Sequence, residues 1–113
     1  MADNNQYYQW ATSRCAQKEY CRSEIAKKLL AKGATPDEVD DTLGRLEAES
    51  YIDEARYARA FVNDKFRFDH WGRIKIRYAL RQKGVSDFDT DGALALIDDD
   101  DYRQALADFI ASR

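Results

Sequence analysis

The chain holds a single histidine and a single proline, and its only cysteines are Cys15 and Cys21. With His70 alone, and with the two thiols six positions apart, neither a CxxC redox pair nor a zinc knuckle can be assembled. The cysteines read as free, buried or half-buried thiols. A general base needs a partner nucleophile and an orienting group, and His70 has neither nearby in sequence, so it reads as a surface or capping residue. No glycine-rich phosphate loop is present, and the run Asp98 to Asp101 lacks the alternating ligands, glycine and terminal glutamate of a calcium loop. The sequence therefore offers no catalytic, cofactor or metal residues. No apolar run approaches the roughly 20 residues of a membrane span. The first residues, Met1 to Gln6, lack the basic and apolar regions of a signal peptide, which points to a cytoplasmic protein that does not meet membrane. Strand-type alternation is scarce as well.

What remains is helical. Of the 113 residues, 44% are hydrophobic and 35% charged, a globular rather than disordered balance. The spacing predicts a helix over Asn5–Lys18, with Tyr7, Trp10, Ala11 and Cys15 inward. A second follows an N-cap at Ser23, buries Ile25, Leu29 and Leu30, and stops at Gly33. Thr35-Pro36-Asp37-Glu38 opens a third with a capping box, proline at the first helical position and Val39, Leu43 and Leu46 inward, ending near Ser50. Asp53 caps a fourth, whose Tyr57, Ala58, Phe61, Val62 and Phe66 form an apolar stripe. A fifth runs from Gly72 to Gly84 with Ile76 and Leu80 inward. Ser86 caps a sixth with Ala93, Leu94 and Ile97 inward, and the aspartate run separates it from a last helix carrying Leu106, Phe109 and Ile110.

An internal repeat emerges at an offset of 51 residues, which lays Arg22 on Arg73, Ile25 on Ile76, Leu29 on Leu80, Lys32 on Lys83 and Gly33 on Gly84. Trp10 falls on Phe61, Ala11 on Val62, Tyr20 on Trp71, Leu43 on Leu94 and Leu46 on Ile97. The expected fold is all-α, built of tandem three-helix repeats in an elongated, curved array. The units are expected at 1–50 and 51–99, with 100–113 supplying the first helix of an incomplete third. Tyr102 to Leu106 resembles Tyr57 to Phe61 in this respect. A chain ending there should bind its target more weakly than one extended by further helices, since linked contacts raise effective concentration.

Charge is unevenly placed on a net of −3. Asp37, Glu38, Asp40, Asp41, Glu47, Glu49, Asp53 and Glu54 stand against Arg45 alone, and no base lies between Asp87 and Asp101. Between these acidic blocks, in the stretch Phe66 to Gly84, Arg67, Arg73, Lys75, Arg77, Arg81 and Lys83 face only Asp69. Arg73, Arg77 and Arg81 share one helical stripe. Phosphate contacts need Lys or Arg within reach rather than at set spacing, so these residues, with Lys65, are the candidate binding surface. Phe68 and Trp71 could stack on bases, but aromatics at a helix junction more often plug the interface between units, and the match of Trp71 to Tyr20 in the repeat favours a core role.

The blocks Tyr20 to Ile25 with Leu29 and Lys32-Gly33, then Tyr51 to Val62, then Gly72 to Ile76 through Leu80 and Lys83-Gly84-Val85 resemble the RecX family of bacterial regulatory proteins. The resemblance covers roughly Trp10 to Ile97. It implies helical repeats without catalytic chemistry, and a partner in the RecA recombinase and its nucleoprotein filament. Binding there would limit filament growth, ATP hydrolysis and strand exchange. It also implies single- or double-stranded DNA contacted through Lys65, Arg67, Arg73, Lys75, Arg77, Arg81 and Lys83. The protein is expected to act as a monomer. The chain departs from the family pattern in its acidic net charge and in its incomplete third repeat. Two other readings of the residues stand beside this one: a small helical nucleic-acid-binding module that acts without RecA, and a protein-binding helical-repeat adaptor.

Overall fold

The computed structural model describes residues 4–97. Among these there are six helices and no strand: α1 (Asn4–Cys15), α2 (Arg22–Ala31), α3 (Pro36–Ala48), α4 (Glu54–Arg67), α5 (Arg73–Gln82) and α6 (Asp87–Leu94). None of them is long and apolar enough to cross a membrane. The chain divides into two compact units between Tyr57 and Ala58, so α4 gives its first turn to the first and the rest to the second.

In the first unit α1 and α2 both pack on α3. Ala11, Ile25, Leu29 and Leu46 have no exposed surface, and Tyr7, Tyr20, Val39, Leu43 and Ile52 close the core around them. Fully burying a leucine or isoleucine contributes roughly 1.5–3 kcal/mol, so this cluster dominates the unit's stability. Cys15 is half-buried and Cys21 buried, both free thiols. Burial pushes the pKa of each upward. The hydroxyl of Tyr8 donates to Glu49, which holds the tyrosine proton and moves its pKa up to about 12.

The helix ends follow the local code closely. Thr35 Oγ1 accepts from Glu38 N at 3.2 Å while Glu38 Oε1 accepts from Thr35 N at 2.9 Å, a complete capping box. Asp53 accepts from Arg56 N at 3.0 Å and Ser86 from Asp89 N at 3.1 Å. The ends of α2 and α5 are duplicates. Gly33 at φ +100° and Gly84 at φ +79° turn the chain out of the helix. Ala34 N donates to Leu29 O at 3.1 Å and Val85 N to Leu80 O at 3.0 Å, and each glycine N donates to the carbonyl three residues back. This is the Schellman arrangement, which satisfies carbonyls that the helix leaves without partners.

Several expectations are corrected. The N-cap of α2 is Cys21, not Ser23. Its backbone N donates to Glu24 Oε1 at 3.0 Å, so the glutamate one turn in secures the start and the hydroxyl is not required. Leu30 is 50% exposed, because the core stripe of α2 is satisfied by Ile25 and Leu29. The first helix ends at Cys15, short of Lys18, whereas the third ends near Ser50 as expected, at Ala48, with Glu49 as C-cap and Ser50 at a positive φ of 64°. Ile97 is half-buried and lies beyond the end of α6. The expected last helix, with Leu106, Phe109 and Ile110, and the run Asp98 to Asp101 lie outside the described residues.

Candidate polyanion interface

The second unit brings lysines together by closing a short connection. After α4 the chain turns through His70, exposed and at φ +59°, and Trp71 N returns to Lys65 O at 2.9 Å. Gly72 then caps α5. This closure lays the half-buried Trp71 ring edge-on to Phe61, with centroids 6.3 Å apart and planes at 71°. Cations gather over the pair. The ammonium of Lys75 lies 4.3 Å and that of Lys65 4.7 Å from the Trp71 centroid, while Lys65 and Lys83 lie 5.6 and 5.9 Å from that of Phe61. A ring face attracts a cation through its quadrupole, so the aromatic pair holds three lysines close despite their mutual repulsion. Lys65 also donates to Asp69 at 2.9 Å.

The arginine stripe has a different environment. Arg77 pairs with Asp91. Arg81 donates from Nε and an Nη to the two carboxylate oxygens of Asp87, at 2.8 and 3.0 Å. That fork holds the Asp87 carboxyl below its usual range and raises the Arg81 pKa. Both pairs bridge α5 to α6, so two of the three stripe arginines already have a carboxylate. Arg73 is half-buried at the start of α5. Arg67 donates to Asn63 Oδ1 at 2.9 Å and its guanidinium lies 5.9 Å from the Phe66 ring.

The seven residues therefore separate into a lysine group on aromatic rings (Lys65, Lys75, Lys83), two arginines held by acids (Arg77, Arg81), and Arg67 and Arg73 toward the α4–α5 connection. Neither aromatic is in the core: Trp71 is half-buried against Phe61, and Phe68 is 74% exposed. Among the described residues no group of acids, histidines and cysteines could hold a metal ion.

Sequence reasoning passed over Arg14, Lys18 and Lys28, which with Lys32 stand over Trp10 and Tyr20 in the first unit. A signal was available. The 51-residue offset that pairs Trp10 with Phe61 also pairs Arg14 with Lys65.

Comparison with known proteins agrees with this architecture. Residues 53–94, which carry all seven candidate residues, match the model of the RecX second three-helix domain. The Regulatory protein RecX of Pseudomonas savastanoi pv. phaseolicola is 37% identical over 79 residues, 70% of this chain and 50% of that protein. A crystal structure of regulatory protein RecX superposes with a TM-score of 0.84 at 26% identity, covering 90% of this chain and 51% of the other. The structure of RecX from Lactobacillus salivarius gives 0.85 at 23% identity over 97% of this chain and 73% of the other, a likeness of fold. The chain spans about half the length of the curated Regulatory protein RecX relatives it matches.

Proposed function

The chain belongs to the RecX family, and from that premise we propose that it is a non-enzymatic regulator of the RecA recombinase. In this reading it binds the RecA nucleoprotein filament and limits filament growth, ATP hydrolysis and strand exchange. The second unit supplies the contact through Lys65, Arg67, Arg73, Lys75, Arg77, Arg81 and Lys83. The observation that carries the reading is the convergence of Lys65, Lys75 and Lys83 on the Phe61–Trp71 pair, within the segment that matches the RecX domain. Lysines held at short range to one another present a concentrated positive field to a phosphate chain, and filament-bound DNA is such a chain. Arg77 and Arg81 join the contact only by exchanging Asp91 and Asp87 for phosphate, which makes them secondary to the lysines.

The test is RecA ATPase on single-stranded DNA with increasing amounts of the chain, together with co-sedimentation with filaments in ATP. Wild type should sediment with filaments and depress the ATPase. The Lys65→Gln/Lys75→Gln/Lys83→Gln variant, checked for helical content by circular dichroism, should need roughly tenfold more protein for the same effect, as expected for about three lost phosphate contacts. Wild-type protein that neither sediments with filaments nor changes the ATPase would sink the reading in favour of a nucleic-acid-binding module acting alone.

A further inference from the structure

We propose that the first unit carries its own site for the phosphate backbone of a nucleic acid, formed by Arg14, Lys18, Lys28 and Lys32 around Trp10 and Tyr20. The guanidinium of Arg14 lies 5.5 Å and the ammonium of Lys32 4.7 Å from the Trp10 ring centroid. Lys18 and Lys28 lie 4.8 and 6.0 Å from that of Tyr20. All four cations are exposed. The rings beneath them are anchored, Tyr20 within the core of the unit and Trp10 half-buried against it. The cations are thus held on a rigid platform. Lys28 and Lys32, one helical turn apart, reach the two rings from the same face of α2.

The absence of acid partners makes this a site rather than a solvated face. Among the described residues no carboxylate pairs with any of the four. Three of the unit's acids are engaged elsewhere: Glu47 with Arg22, Glu19 with Arg56, Glu49 with the Tyr8 hydroxyl. Four like charges gathered without counterions, in a chain of net charge −3, repel one another, and an incoming polyanion relieves that repulsion.

The arrangement also occurs twice. At the 51-residue offset Trp10 becomes Phe61, Arg14 becomes Lys65, Lys32 becomes Lys83 and Tyr20 becomes Trp71. In both units the cation from the first of these positions and the cation at the helix C-cap stand over the same ring. The residue types differ while the charge over the ring is kept, so the shared property is a cation on an aromatic platform.

Phosphate is the ligand that the repeat favours, because the matching ring-bound cations of the second unit are those assigned to a phosphate chain, and three of the four first-unit cations are lysines, point charges that meet phosphate at any angle.

The proposal needs no recombinase, so its test omits one and its outcome is separable from that of the ATPase assay. Fluorescence anisotropy of labelled oligo-dT is measured with the full chain across a salt series, with a labelled DNA hairpin in parallel. The Lys18→Gln/Lys28→Gln/Lys32→Gln variant should bind oligo-dT roughly tenfold more weakly at low salt. Its log-affinity against log-salt slope should flatten by about two, at about 0.7 per lost contact on a single strand. The Lys→Arg triple variant keeps the charge and should bind as wild type. If the glutamine triple does not fold, Lys28→Gln alone should still flatten the slope by about 0.7. A folded variant with unchanged affinity and slope for both oligo-dT and the hairpin would overturn the proposal. So would displacement of oligo-dT by polyglutamate at equal charge concentration, which would mean the surface reads negative charge on a protein.

Discussion

Leu29 in the first unit and Leu80 in the second are wholly buried, and each is followed by a C-capping lysine and a glycine of positive φ. One turn away the units part company. Ala26 and Leu30 of α2 stand where α5 has Arg77 and Arg81, and Glu24, which secures the start of α2, stands where α5 has Lys75. The second unit also leaves more apolar surface in water, with Ile74 and Phe88 each 87% exposed. In the first unit Leu30, at 50%, is the most exposed of the large apolar residues. The interior positions of the two units repeat because a three-helix unit tolerates little change where volume is confined. The surface positions diverged because nothing in the packing restrains them. The cations over Trp10 and Phe61 are an exception, which is why that recurrence points to binding rather than to the fold.

The comparison is broken most severely by emptying the shared core. Leu29→Ala and Leu80→Ala should each destabilise by about 2–5 kcal/mol, measured by urea denaturation followed by circular dichroism. If one costs several-fold less than the other, the two interiors are not equivalent. Next in size are the helix stops. A Cβ added at Gly33 or Gly84 would meet no atom within 4 Å, so alanine there tests backbone conformation alone. Each change should cost about 1–2 kcal/mol by the same measurement. Gly33→Ala should cost more, since φ +100° lies further from the left-handed helical basin than the +79° of Gly84. Equal costs would show that the two ends relax to a common geometry.

The smallest effect comes from the α5–α6 pairs, where the first unit has Ala26 and Leu30 in place of Arg77 and Arg81. Arg81 lowers the pKa of Asp87 from the ordinary 3.8. A depressed carboxylate contributes stability that is present above its unfolded pKa and lost as pH falls through the folded one. The pair should therefore persist at pH 3.8 and give way only below it. A titration of the Asp87 carboxyl by nuclear magnetic resonance should give a value below 3.8 that rises in Arg81→Gln. An unchanged value would mean that the fork is not maintained in solution. Being fully exposed, the pair should move the urea midpoint of Asp87→Asn less than either glycine change does.

Much of the fold was legible before any coordinates. The capping box at Thr35, the caps at Asp53 and Ser86, and the stops at Gly33 and Gly84 depend on residues within about a turn of one another, so local chemistry decides them. The core faces of α2, α3 and α5 followed from helical spacing. The errors came where two local solutions competed, as at Cys21 and Ser23, or where a helix had more apolar residues than its core could take, as at Leu30. The candidate interface was legible only as a list of charges.

By itself, then, the sequence determined the six described helices, most of their caps and stops, most of the residues that face inward and the 51-residue repeat that relates them. These rest on interactions within one or two turns and on a period of 3.6 residues. Tertiary structure alone decided which charges are held by acids and which by rings. Arg77 meets Asp91 fourteen positions away and Lys83 stands over Phe61, because helix packing sets those distances and no spacing along the chain encodes them.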